Sequence, residues 1–558
     1  MPVDDPGQPA RPDGTAGDGT AGGPSPSAPS PHLARSAGAF GLATMASRVL
    51  GLVRDQVLAY YFGAGDAMDA FRVAFRIPNL ARDLFAEGAM SAAFVPTFTR
   101  ELALHGRERA WRLASSVINA LVLVTGALVL AGIVFADPIV RLFASSFAEV
   151  PGKLTLTVQL TRIMLPFLSL VALAAVLMGM LNSLGHFFVP ALSPAMFNVA
   201  SILIALMFVP VAPALGVDPI VVIALGTLVG GAGQLLIQWP PIRREGFRYQ
   251  AVLDVRDPGL RQVLLLMGPG TIGLAATQIN VFVNTVLATG EGTGAVSWLD
   301  FAFRLMYLPI GLFGVSIAAA STPAISRLAA ADNHPAMRTT VASAIGLMMS
   351  LNIPATLGLL VLAEPIVRVI FEHGSFTPAD TASTAAALRF YAIGLVGYSV
   401  VRIVAPTFYA LKRSRIPVMV SMASVVVNVV LNLALVRVMS YQGLALGTSI
   451  TALVNAAAQL YLLRREIGGV DGPRIAGTFG RVLLAAIVMA GAVWGAEIGL
   501  QVLLPGDAAL VQVLRVGGAI AVGLGVLAAA SHLFGVPEFE EARALVLGRV
   551  RRMSGRRP

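Results

Sequence analysis

The chain has 558 residues, 56% of them hydrophobic and 13% charged, with a formal net charge of +10. A soluble domain carries about 25% charged residues, so the natural solvent for most of this chain is lipid and a soluble enzyme is excluded. Cysteine is absent, which removes disulfides, thiolate catalysis and Cys-ligated zinc.

Residues 1–36 are rich in Pro, Gly, Ser and Asp and nearly free of large apolar side chains. Burial there cannot offset ordering entropy, so a disordered cytoplasmic tail is expected. No basic start leads into an apolar run, so the segment is not read as a signal peptide.

Apolar stretches then recur, and a bilayer core needs about 20 apolar residues per helix. The fourteen expected spans are 37–62, 67–98, 111–136, 155–184, 188–211, 219–240, 262–290, 296–325, 340–363, 382–411, 416–439, 443–463, 476–503 and 508–534. The first two are the least apolar, and the turn Phe62-Gly63-Ala64-Gly65 separates them. A basic tail, 535–558, follows.

The loops after even-numbered spans are rich in arginine, for example Arg107, Arg109, Arg243, Arg244, Arg413 and Arg464. The loops after odd-numbered spans carry little beyond Arg141, Lys153 and Arg368. Positive charge stays inside, so both termini are expected in the cytoplasm.

Pro96 and Pro323, Pro138 and Pro365, and Pro190 and Pro417 are each 227 residues apart. The second pair has matching neighbours, DPIVRLF and EPIVRVIF. Six spans per unit, an even number, give both units the same orientation. The expected fold is therefore all-α: an N-lobe over 37–261, a C-lobe over 262–475 in parallel repeat, and two extra helices over 476–534.

Ionisable groups inside a span are costly and mark function by default. Spans 1, 2 and 8 hold six arginines (Arg48, Arg54, Arg72, Arg76, Arg82, Arg304) and five acids (Asp55, Asp69, Asp83, Glu87, Asp300). On an ideal helix Asp69, Arg72, Arg76, Asp83 and Glu87 fall within about 60° of one another, and Arg82 falls off that stripe. The near balance suggests mutual ion pairs in one state. Arginine's fixed fork also suits phosphate oxygens, so a cavity lined this way suggests an anionic, phosphate-bearing substrate. Arg162, Arg389 and Arg402 lie nearer span ends, where arginines snorkel.

The run SRVLGLVRDQVLAYYFGAGDAMDAFRVAFRIPNLARDLFAEGAMSAAFVPTF, from Ser47 to Phe98, closely resembles the start of the MurJ/MviN lipid II flippases. These belong to the multidrug/oligosaccharidyl-lipid/polysaccharide exporter superfamily. Gly268–Thr285, Phe303–Arg327, Phe371–Thr381 and Gly394–Val418 also resemble the family, so the likeness runs over roughly residues 40 to 534. It implies an alternating-access, multi-pass protein of the bacterial inner membrane. The implied substrate is lipid II, the undecaprenyl-pyrophosphate glycopeptide precursor of the cell wall, moved from the inner to the outer leaflet. It implies substrate-binding arginines at Arg48, Arg54, Arg82 and Arg304. Asp69 matches the acid of the DAF motif, and with Glu87 and Asp300 is assigned to gating or ion pairing. Relatives commonly carry an acid directly before the span 8 arginine. Here Phe303 stands there and Asp300 lies one turn earlier, which leaves the partner of Arg304 open. The last two helices would form a groove for the lipid tail.

The resemblance also places a monovalent cation site at Asn284, Asn428, Asn432 and Thr448. All four offer neutral oxygens, so they serve equally as interhelical hydrogen bonds, and coupling to Na⁺ or H⁺ stays open. No other cofactor or metal is expected. The partners are lipid II and membrane lipids, without nucleic acid, and the chain is read as a monomer. The alternatives are a flippase for another lipid-linked glycan, a drug exporter of the same superfamily, and, remotely, a polytopic lipid-dependent glycosyltransferase. Drug exporters take cations, which a deep arginine cluster repels. Glycosyltransferases need an acid–base or metal constellation, and the outer loops hold only scattered acids with no D-x-D pair.

Overall fold

The computed structural model describes residues 31–84 and 90–540, and the described residues contain helices and no strand. The helices in chain order are α1 (Pro31–Phe62), α2 (Asp66–Arg82), α3 (Met90–Val134), α4 (Ala136–Ala144), α5 (Lys153–Met164), α6 (Phe167–Ser183), α7 (Phe188–Phe208), α8 (Pro219–Arg244) and α9 (Pro258–Thr289). Then come α10 (Ala295–Pro309), α11 (Val315–Ala330), α12 (His334–Phe371), α13 (Pro378–Ile393), α14 (Leu395–Ala410), α15 (Arg415–Met439), α16 (Tyr441–Glu466), α17 (Gly472–Leu503) and α18 (Ala509–Leu533). Helices lie along all of the expected spans, and α3 is broken at Gly106 (φ 80°), between expected spans 2 and 3.

Among the described residues nine helices are long and apolar enough to cross a membrane, or ten if the bent pair α13–α14 is one span. Among the described residues, the expected spans 1, 2, 7 and 8 hold no such helix. The charges of span 1 lower its hydropathy, while span 2 begins in a helix of 17 residues, α2, and span 8 is divided between α10 and α11, of 15 and 16 residues. The chain is thus an all-helical integral membrane protein.

Two sequence boundaries shift. The described residues are helical from Pro31 onward, so residues 31–36 of the expected tail belong to a helix. At the other end Val536 and Glu538 are buried, so the first residues of the expected basic tail dock on the bundle. Residues 1–30, Glu87 and the arginines after 540 lie outside the described residues.

Helix starts follow their local chemistry. Asp218 accepts from Ile220 N, Asp257 from Gly259 N and Leu260 N, and Thr377 and Asp380 form a reciprocal capping box. In all three, Pro occupies the first turn, where a missing N–H costs nothing. Helix α17 packs on α12, and α18 packs on both.

One core cluster joins the two halves of the sequence. It gathers Ala59, Val73 and Phe147 with Phe301, Phe371 and Phe376. At the same end the α1–α2 turn touches the α12–α13 turn: Ser375 N donates to Tyr60 O at 2.8 Å. Gly63 (φ 60°) and Gly374 (φ 62°) make that approach possible, since a Cβ on Gly63 would fall 2.4 Å from Ser375 O. This end, which carries the loops after odd-numbered spans, is closed. Arg48 lies 14 residues back along α1 from Phe62, about 21 Å at 1.5 Å per residue.

Candidate functional site

Three cavities meet at Asp300. The largest, about 620 Å³, is lined by Thr44, Ser47, Arg48 and Gly51 of α1, by Pro190 and Asn198 of α7, and by Asp300, Phe303, Arg304 and Tyr307 of α10. A second, about 350 Å³, is lined by Arg54, Arg72, Arg76, Arg82, Asp83, Gln278 and Arg304, and again by Asp300. A third, about 140 Å³, runs from Arg76 and Asp300 to Asn284, Tyr391 and Thr448. The structure thus brings Arg48, Arg54, Arg82 and Arg304 to one connected space between α1, α2, α7 and α10.

The charges there are paired. Arg54 Nη2 donates to Asp55 Oδ1 at 2.9 Å. Arg304 Nε lies 2.5 Å from Asp55 Oδ2. Arg72 Nη1 lies 2.5 Å from Asp300 Oδ2 and Arg76 Nη2 3.4 Å from Asp300 Oδ1. Asp55 is fully buried, and a buried carboxylate persists only with such partners. Two rings complete the seating: Phe197 lies 5.3 Å from Arg54 Cζ, and Phe301 4.7 Å from Arg72 Cζ. The partner of Arg304 is therefore Asp55 on α1. Asp300, its neighbour one turn earlier, instead holds Arg72 and Arg76 of α2.

Arg82 lines the second cavity and pairs with Asp83 at 2.8 Å. Gln278 Nε2 donates to the other oxygen of Asp83 at 3.4 Å. The ideal-helix stripe set Arg82 apart; in the structure it shares the cavity with Arg76. Pro78 lies inside α2, where it removes a helical hydrogen bond. Arg48 rests against Gly311, where a Cβ would overlap its Nη1 at 1.4 Å. Gly311 falls in a π-turn, Ile310–Gly314, between α10 and α11.

Asp69 does not join this space. It sits fully buried at the closed end, accepting from Gly294 N at 2.7 Å, Ser297 N at 3.1 Å and Ser297 Oγ at 2.7 Å. It therefore caps α10 from α2, satisfying orphan N–H groups with a charge that suits the helix dipole. Its ionic partner is Lys153 at 3.0 Å, where the sequence suggested an arginine. Lys153 was read as a loop charge; the missed signal is a cation on the first residue of a helix, the end the dipole disfavours.

The amide cluster also forms. Asn432 Nδ2 donates to Asn284 Oδ1 at 2.5 Å and to Asn428 Oδ1 at 2.9 Å. Asn428 Nδ2 donates to Thr451 Oγ1 at 3.3 Å, a residue the sequence reading omitted. Thr448 lines the third cavity with Asn284, but its hydroxyl donates to Leu444 O. Of the arginines near span ends, Arg162 is exposed and donates to Ile133 O. Arg389 approaches Glu364 at 3.7 Å. Arg402 donates to Tyr307 Oη, on the wall of the largest cavity.

The family described as "Lipid II flippase MurJ" matches residues 58–513. The chain belongs to the lipid II flippase MurJ family. A probable lipid II flippase MurJ of Rhizobium meliloti (strain 1021) is 35% identical over 467 residues, covering 83% of this chain and 86% of the relative. The lipid II flippase MurJ of Burkholderia cenocepacia is 34% identical over 453 residues, covering 80% and 87%. Among solved structures, a lipid II flippase MurJ in an inward closed conformation superposes with TM-score 0.73 at 26% identity, over 89% of this chain and 98% of that one. An inward-facing multidrug resistance MATE family transporter shares the fold, with TM-score 0.65 at 15% identity over 77% and 99%. The MurJ match contains Asp69, both asparagine helices and every residue of the ion-pair cluster except Arg54 and Asp55, which precede it by a few residues.

Proposed function

We propose that this protein is a lipid II flippase of the bacterial inner membrane. It moves the undecaprenyl-pyrophosphate glycopeptide from the inner to the outer leaflet by alternating access. The observation that carries the reading is the paired arginine cluster at the junction of three cavities. Arg54, Arg72, Arg76 and Arg304 face two acids, Asp55 and Asp300, so the cluster has two more cations than anions. A pyrophosphate linkage carries one negative charge on each phosphorus and matches that surplus. Guanidinium forks hold phosphate oxygens in pairs, and arginine keeps its charge when buried.

The fourteen-span count, the two lobes and the cytoplasmic placement of both termini complete this reading, with the chain acting as a monomer and a transporter without catalytic chemistry. Asp69, capping α10 across the closed end, is the outer gate. Opening there and closing around Arg48 would carry the substrate past the cluster. Helices α17 and α18 offer the tail groove. The deciding experiment is complementation of cells depleted of their own lipid II flippase. Rescue is expected; failure to rescue, with the protein present in the membrane, would remove lipid II as substrate and favour another lipid-linked glycan.

A further inference from the structure

Lys153 is one of two lysines in the chain and opens α5. It is 3% exposed, and both burial and the helix dipole work against a cation there. Its ammonium is held by Asp66 at 2.8 Å and Asp69 at 3.0 Å, over the Phe147 ring at 4.2 Å. All four groups belong to the first repeat. The remaining donors to these carboxylates come from the second: Thr293 Oγ1 to Asp66 at 2.7 Å, and Gly294 and Ser297 to Asp69. A local rule broken this plainly, with its compensation built across a gate, marks a functional position.

The two sets of bonds have different fates if this end opens. Helix α5 packs on α2, so Lys153 stays with Asp69 while Gly294 and Ser297 leave with α10. We propose that Lys153 is a positioning residue that keeps Asp69 charged and in place while α10 departs and returns, and so sets how readily the outer end opens. Without it, opening strands a buried carboxylate whose only donors have gone, and the closed end becomes the resting place of the cycle. This rests on the alternating-access reading above.

The chain's lack of cysteine makes the test direct. Ala64→Cys places a small thiol in the α1–α2 turn, where Ala64 is 3% exposed and its carbonyl lies beside Gly294. Labelling of intact cells with a membrane-impermeant maleimide then reads opening, whatever the substrate. Lys153→Met in this background should lower the labelling rate about tenfold, near what one charge-assisted hydrogen bond sets, and lower flipping with it. Adding Asp69→Asn removes the charge to be stranded and should restore most of the labelling, a rescue that a purely structural lysine would not give. Lys153→Arg keeps the cation and should label like the parent. Unchanged or faster labelling in Lys153→Met, no recovery in the double variant, or loss of labelling in Lys153→Arg would each overturn the proposal. A parent that never labels would overturn alternating access at this end, and the proposal with it; a labelling parent with an indifferent Lys153→Met overturns the proposal alone.

Discussion

Arg304 on α10 and Arg54 on α1 share one carboxylate: Asp55 receives Arg304 Nε on Oδ2 at 2.5 Å and Arg54 Nη2 on Oδ1 at 2.9 Å. The bond from Arg304 ties the second repeat to the first at mid-bundle, where no backbone connection does so. The two acids still leave the cluster two cations in surplus, with Arg72 Nε and Nη2 buried without a hydrogen-bond partner. An incoming anion must therefore compete with, or add to, a resident carboxylate.

Replacing Asp55 by Asn keeps the shape and removes the charge. Breaking a buried pair by deleting one partner costs about 3–5 kcal/mol, because Arg54, Arg304 and Arg72 then face one another. The purified Asp55→Asn protein should unfold at a lower temperature than the parent. Added inorganic pyrophosphate should raise its Tm more than the parent's, by filling the vacated anion position. An unchanged Tm would show that the guanidiniums do not rest on Asp55.

The substrate reading makes its own demand on the four family-matched arginines. Arg48→Ala, Arg54→Ala, Arg82→Ala and Arg304→Ala should each abolish rescue of flippase-depleted cells while leaving the protein in the membrane. Lysine should restore little at positions 54 and 304, since it offers a point charge in place of a planar fork. Arg162→Ala should be tolerated, because that side chain is exposed and donates to the Ile133 carbonyl. Equal sensitivity at Arg162 would place the site elsewhere.

Much of this was legible in the sequence, and the misses share one cause. Hydropathy and turn residues locate the helices because lipid imposes length and composition on each segment alone. Charge inside a span located the cluster for the same reason. Partners are another matter. Spacing within one helix reports only neighbours one turn away, so it offered Asp300 to Arg304, while the bond formed runs to Asp55 on another helix. Asp69 likewise found Lys153 and the start of α10 across 84 and 225 residues of sequence. The pair Asn428 and Asn432 was readable from its spacing of four; Thr451 of α16, the partner of Asn428, was not.

Topology can be tested in the same cysteine-free chain. Glu291→Cys, in the α9–α10 loop at the closed end, should label from outside intact cells. Arg248→Cys, beyond α8, should label only after the inner membrane is opened. Outside labelling of Arg248→Cys would reverse the orientation drawn from the arginine count.

The driving force gives the last prediction. Lipid II carries its charge outward across an inside-negative membrane, which is favourable by about 2.3 kcal/mol per charge per 100 mV. The potential alone can bias transport if no cation moves with the substrate. A sodium ion at the asparagine cluster would need several oxygens at once. Here the side-chain oxygens of Asn284 and Asn428 already accept from Asn432 Nδ2. Only Asn432 Oδ1 is buried without a partner, and none of the cluster's side chains is a carboxylate. We therefore expect flipping in proteoliposomes to follow an imposed K⁺-diffusion potential and to change little between zero and high Na⁺. Asn432→Ala should then weaken packing between α9 and α15 more than it alters ion dependence. Transport that follows Na⁺ and ignores the potential would instead require the amides to turn their oxygens inward on binding, and would make Asn284, Asn428, Asn432 and Thr448 a coupling site.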